Sequence, residues 1–233
     1  MTTARRAFLG LAAVLLGGAL GAAAAADAPK WAEGRHYAVL RPAQTSQAAP
    51  GKVEVTEVFS YGCPACFQFQ ATVEKIRSSL PANAQMVLVH ASWNTSESWP
   101  VFQRAFLTAQ ALGVAEKSHT AMFTAIWGEN GPLSVVDSLT QRLKPKQPTI
   151  EDCAKFYAKQ GGVTEAQFLQ ASKSFSVEMR MKQSDSLVKG YQTPGTPTLV
   201  VAGKYRIDNS MLTSPADFVD LVKFLVAKES AGR

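Results

Sequence analysis

The sequence predicts a three-layer α/β domain, with a central four- to five-stranded sheet, helices on both faces and one helical subdomain inserted between its halves. Three observations predict it. Strand patterns at Val53–Phe59 and Met86–Ala91 flank a helical pattern, a βαβ unit of about forty residues whose strands run parallel with a right-handed crossover. Between Ser96 and about Ser172 the pattern turns helical, with breaks at Gly131-Pro132 and Lys144-Pro145-Lys146-Gln147-Pro148. A Pro/Gly turn at Thr193–Pro197 then opens two short strands and a last helix.

In chain order, residues 1–26 have the form of an export signal. Arg5 and Arg6 supply the positive end, Phe8 to Leu20 the apolar stretch and Ala24-Ala25-Ala26 a small-residue cleavage site. The arginine pair leaves Sec and twin-arginine export both open. Cleavage near Ala26 implies an oxidising compartment, where a cysteine pair can cycle. The 233 residues carry a net charge of +6, and loss of Arg5 and Arg6 leaves +4, 22 basic against 18 acidic. That excess is scattered, with no basic run or aromatic-interleaved patch, so no nucleic-acid partner is expected.

Residues 27–95 form the first half of the sheet domain. A Pro/Ala/Gln-rich lead-in with a short edge strand at His36–Leu40 ends at the Pro50-Gly51 turn. In the next strand, Val53, Val55, Glu57 and Phe59 share a face. A half-buried Glu57 there would have its pKa raised by desolvation and could relay a proton; equally, it could reach water at the strand end. Residues 96–172 are the insert, of three to five helices, with Phe102, Ala105, Phe106 and Ala109 on one face and Ala121, Met122, Ala125 and Ile126 on another. Cys153, just inside a helix start at Thr149, is expected to pack in the core. Residues 173–233 complete the sheet domain: a helix near Phe175–Lys189, a hairpin turning at Ala202-Gly203, and a helix from Ser214-Pro215 through Leu225.

The chemistry is concentrated in Phe59-Ser60-Tyr61-Gly62-Cys63-Pro64-Ala65-Cys66-Phe67-Gln68-Phe69. Cys66 begins an apolar stripe with Phe69, Val73, Ile76 and Leu80, so its side chain is expected in the core. Cys63 lies one turn back and is expected at an exposed mouth. Pro64 suits the first helical position. Free N–H groups and the helix dipole favour a Cys63 thiolate, which makes it the nucleophile and a good leaving group, with Cys66 resolving. A zinc site needs four ligands, and beyond this pair the chain offers only Cys153 and three histidines, with no second close pair. Redox chemistry is favoured over metal binding. No metal and no cofactor beyond a redox-active Cys63–Cys66 disulfide is expected.

Strand–CxxC–helix, followed by Thr196-Pro197 opening a hairpin, resembles the thioredoxin fold. With the helical insert, the signal and the run Glu57–Cys66, the chain resembles the DsbA-type thiol:disulfide interchange family from about Val53 to the last helix. The resemblance implies a low-pKa Cys63 nucleophile, a resolving Cys66, the family's cis-proline at Pro197, a Thr196 backbone that pairs with a substrate strand, and a buried acid at Glu57. It further implies an exported, periplasmic disulfide oxidase. Its partners would be unfolded or newly exported cysteine-containing proteins and a membrane-bound oxidase that restores the disulfide. A monomer is expected. A reductase or isomerase of the same compartment, and a metal carrier using the cysteine pair, are the competing readings; the short lead-in argues against a dimerising isomerase.

Two departures stand out. Well-known members of that family carry His where this chain has Ala65, which should leave the Cys63 pKa depressed, but less than in His-containing relatives. The lysine that partners the acid falls at Leu88, which disfavours an ionised Glu57.

Overall fold

The computed structural model describes residues 30–232; the export signal expected over 1–26 lies outside them. The chain runs β1 (Tyr37–Val39), β2 (Val53–Phe59), α1 (Pro64–Ser79), β3 (Ala84–His90), α2 (Trp99–Ala111), α3 (Ala115–Trp127), α4 (Ile150–Gln160), α5 (Glu165–Ser172), α6 (Phe175–Gly190), β4 (Thr198–Val201), β5 (Tyr205–Ile207) and α7 (Pro215–Ala231). The sheet is five-stranded, ordered β1-β5-β4-β2-β3. β2 and β3 are parallel, with Val53 opposite Ala84 and Phe59 opposite His90, and the remaining pairings are antiparallel. The expected edge strand is thus the fifth.

All seven residues of β2 are buried, because it lies between β4 and β3 with helices over both faces. Val53 and Val55 join a core with Ile76 of α1, Leu199 and Val201 of β4 and Leu221, Val222 and Leu225 of α7. Val58 belongs to the other core, with Leu187, Val188 and Tyr191, and this core continues through the inserted helices. Phe59, at the strand end, departs from the alternation and packs on Phe106 at 5.1 Å between ring centroids. Full burial of each such large apolar side chain contributes about 1.5–3 kcal/mol.

Four helices, α2 to α5, occupy the insert. Phe102, Ala105, Phe106 and Ala109 all face its interior, as do Met122, Ala125 and Ile126. Thr149 caps α4 through a reciprocal bond pair with Asp152, and Cys153 lies fully buried one turn in. Ser214 and Asp217 cap α7 in the same way. The β4–β5 turn takes positive φ at both Ala202 and Gly203. A Cβ on Gly203 would meet the Gln44 carbonyl at 2.3 Å, so the turn and the lead-in interlock. No helix among the described residues is long and apolar enough to cross a membrane.

Glu54, on β2, is buried and was not singled out from the sequence. Its carboxylate accepts from Ser46 Oγ at 2.9 Å, from the Gln47 and Ala48 N–H groups, from Thr56 Oγ1 and from Tyr191 O–H at 3.3 Å. With so many donors a buried carboxylate is satisfied, and it ties the lead-in to the sheet and to the end of α6.

Candidate active site

β2 delivers the chain into the cysteine turn, and α1 leads it away. Cys63 is the N-cap residue of α1, with extended backbone and Pro64 directly after it. Its carbonyl accepts from the Cys66 N–H at 3.1 Å and the Phe67 N–H at 3.3 Å, while its own N–H donates to the Ser60 carbonyl at 3.1 Å. Pro64 and Ala65 are exposed and Cys66 is fully buried. All three cysteines are thiols in this structure.

Cys63 differs from expectation. It is not at an exposed mouth: only 7% of its surface is accessible. The helix phase predicts its place at the end of α1, but the loop carrying Thr196 closes over it. In its thiol form Cys63 donates its Sγ–H to the Thr196 carbonyl at 3.3 Å. The Thr196–Pro197 bond is cis, so the two halves of the sheet domain meet at this sulfur.

The two sulfurs are electrostatically unequal. The Cys63 pKa is lowered to about 6, first by a hydrogen bond from the Cys66 thiol, against the opposing effect of burial. The Thr196 side chain and the Cys66 and Ala65 N–H groups add to the lowering. Burial pushes the Cys66 thiol far above the ordinary range, and the neighbouring Cys63 and Glu57 push it further. One sulfur is therefore a thiolate near neutral pH, and the other must acquire or lose a proton whenever it reacts.

Glu57 is fully buried, and neither carboxylate oxygen has a hydrogen-bond partner among the described residues. Desolvation raises its pKa to about 8; the Arg77 charge counters this and the Cys63 charge adds to it. Glu57 stands opposite Leu88 in the sheet register, so its neighbour on β3 is apolar. Glu57 is an uncharged acid at neutral pH, next to a thiol that needs a proton.

The turn before Cys63 is held by residues that sequence reasoning did not find. The Tyr61 N–H donates to His90 Nε2 at 3.1 Å, its carbonyl accepts from Trp127 Nε1 at 2.7 Å, and its hydroxyl bonds His119 Nδ1 at 2.9 Å. Burial lowers the His90 pKa to about 3 and that of His119 to about 4, so both rings stay neutral at neutral pH. Gly62 packs flat on the Trp99 indole, where a Cβ would come within 2.6 Å. The one sequence signal was His90 at the end of an apolar strand.

Cys153 is fully buried in α4, and burial raises its pKa. Among the described residues, no three His, Cys, Asp or Glu side chains cluster in a way that could hold a metal ion.

The thioredoxin family model matches residues 46–222. The chain is 35% identical over 208 residues to the thiol:disulfide interchange protein DsbA of Pseudomonas aeruginosa, covering 89% of this chain and 90% of that one. It is 34% identical over 200 residues to the protein of the same name from Azotobacter vinelandii, covering 86% and 85%. The crystal structure of Pseudomonas aeruginosa DsbA superposes with a TM-score of 0.71 at 33% identity, covering 87% of this chain and 96% of that one. The oxidoreductase DsbA from Xylella fastidiosa gives 0.71 at 30%, covering 84% and 96%.

Proposed function

Because the chain belongs to the DsbA family of thioredoxin-fold thiol:disulfide interchange proteins and is a disulfide oxidoreductase, we propose that it works in the oxidising direction, passing a Cys63–Cys66 disulfide to unfolded, newly exported proteins. The observation that carries this reading is the split between the two cysteines, with Cys63 lowered to about 6 and Cys66 raised.

A client thiolate attacks the Cys63 sulfur of the disulfide. The Cys63–Cys66 bond breaks, a client–Cys63 disulfide forms, and Cys66 departs with the electron pair. In its buried position Cys66 takes up a proton, which the neutral Glu57 carboxyl supplies and recovers from solvent. A second client thiolate then attacks the client sulfur of the mixed disulfide. The client is left oxidised, and Cys63 leaves as a thiolate, the better leaving group because its pKa is low. During both steps the Thr196 backbone pairs with the extended client strand and Pro197 faces the disulfide. The two electrons gained by the protein pass to a membrane-bound oxidase. No cofactor is needed beyond the disulfide, and the protein acts as a monomer in the periplasm, reached through cleavage of residues 1–26 near Ala26.

The test is refolding of a reduced, unfolded ribonuclease with catalytic amounts of the protein in a glutathione buffer, alongside metal analysis of the purified protein. Rapid disulfide formation by metal-free protein is expected. If only scrambled ribonuclease is rescued, the protein is an isomerase. Stoichiometric zinc or copper with no oxidation marks a metal carrier.

A further inference from the structure

Three consecutive carbonyls of the loop over Cys63 are each held by one side-chain donor. The Gly195 carbonyl accepts from Thr198 Oγ1 at 2.7 Å, that of Thr196 from Cys63 Sγ at 3.3 Å, and that of Pro197 from Asn209 Nδ2 at 2.8 Å. The first donor is the opening residue of β4 and the second is the nucleophile. The third comes from a short 3-10 turn, Asn209–Met211, beyond the end of β5.

The reason lies in the sheet. β4 and β5 pair with Val200 opposite Arg206 and Val201 opposite Tyr205. Continued outward, that register sets Asn209 opposite Pro197. The strand does not continue. Asp208 Oδ1 accepts from the Ser210 N–H at 3.0 Å and from Ser210 Oγ at 2.7 Å, which turns the backbone away. Proline has no N–H to offer a partner strand, and its carbonyl would lose its strand partner at this point. The Asn209 amide takes the place of the missing backbone N–H. The Pro197 carbonyl orients the amide, because exchanging its O and N atoms would set two acceptors face to face.

We infer that Asn209 is a positioning residue for disulfide exchange: its Nδ2–H holds the Pro197 carbonyl and so sets the Thr196–Pro197 peptide against the Cys63 sulfur and the incoming client strand. Asn209 itself touches neither. The inference rests on the reading of Cys63 as nucleophile and Thr196 as client-pairing backbone.

The test compares native protein, N209A and N209D in the oxidation of a fluorescent peptide with two cysteines, together with titration of the Cys63 thiolate by its ultraviolet absorbance. N209A is expected to lose about tenfold in kcat/KM, chiefly through KM, the size associated with one buried carbonyl left without its donor. Its thiolate midpoint is expected to move up from about 6, as the Thr196 side chain loses its place beside the sulfur. N209D cannot donate while ionised and sets an acceptor against the carbonyl, so it should be no more active than N209A at pH 8. Its activity relative to N209A should rise toward pH 5, as the carboxyl gains a proton to donate. A passive structural role would give equal loss in N209A and N209D at every pH, and that result overturns the inference. So does N209A activity within twofold of native with an unmoved thiolate midpoint. Native protein without exchange activity would overturn the functional reading as well, which separates the two failures.

Discussion

Replacing Cys63 with alanine is expected to lower client oxidation by at least about a thousandfold, since no other sulfur can carry the exchange. Cys66 is fully buried and its thiol is strongly protonated, and Cys153 is buried in α4. Replacing Cys66 with alanine should have a different outcome. Cys63, a thiolate near neutral pH, would still attack a client disulfide, but no neighbouring thiol could release the adduct. Intact-mass analysis after incubation with a disulfide-bonded client should therefore show a one-to-one covalent adduct for C66A, reversible by dithiothreitol, and none for C63A. Adducts on Cys66 in the C63A variant would reverse the assigned roles.

The second large effect concerns Glu57 and pH. Its folded-state pKa is about 8, against an ordinary value of 4.5. At pH 4 the carboxyl is protonated in both folded and unfolded chains and makes no difference. As pH rises past 4.5 the unfolded chain releases the proton and the folded chain keeps it, so stability falls with pH until about 8 and then levels off. At pH 8.5 the cost is roughly 2–5 kcal/mol. Cys63 acts in the opposite sense in the reduced protein: a folded pKa of about 6 against 9 adds stability as pH rises from 6 to 9. The oxidised protein, in which Cys63 does not titrate, isolates the carboxyl. Urea denaturation of oxidised E57L should give greater stability than native at pH 8.5 and a much smaller gain at pH 4.5. An equal difference at both pH values would mean that Glu57 reaches water.

The local elements were legible because their signals are local. A strand pattern followed by a 3.6-residue stripe from Cys66 fixes the start of α1, and the proline and cap residues mark α1, α4 and α7. The DsbA likeness rests on the same stretch. What the sequence could not convey is what covers what. Cys63 was expected to be open because its helix phase carries no information about a loop that arrives more than a hundred residues later. The fate of Glu57 depended on β2 being central, with β4 and β3 on either side, an order absent from any one strand's alternation. Tyr61, His90, His119, Trp127 and Asn209 were missed for one reason. Each acts through hydrogen bonds to residues outside its own element, such as Tyr61 to His90, His119 and Trp127 or Asn209 to Pro197, and no periodicity marks such a pair.

The reduction potential of the Cys63–Cys66 couple tests the account most directly, by equilibrating the protein with glutathione buffers and counting the alkylated thiols. A thiolate held at about 6 stabilises the reduced form and makes the disulfide more oxidising. The predicted potential lies well above that of thioredoxin, about −270 mV. A value at or below that level would contradict the account, because such a disulfide would take electrons from clients too weakly to oxidise them.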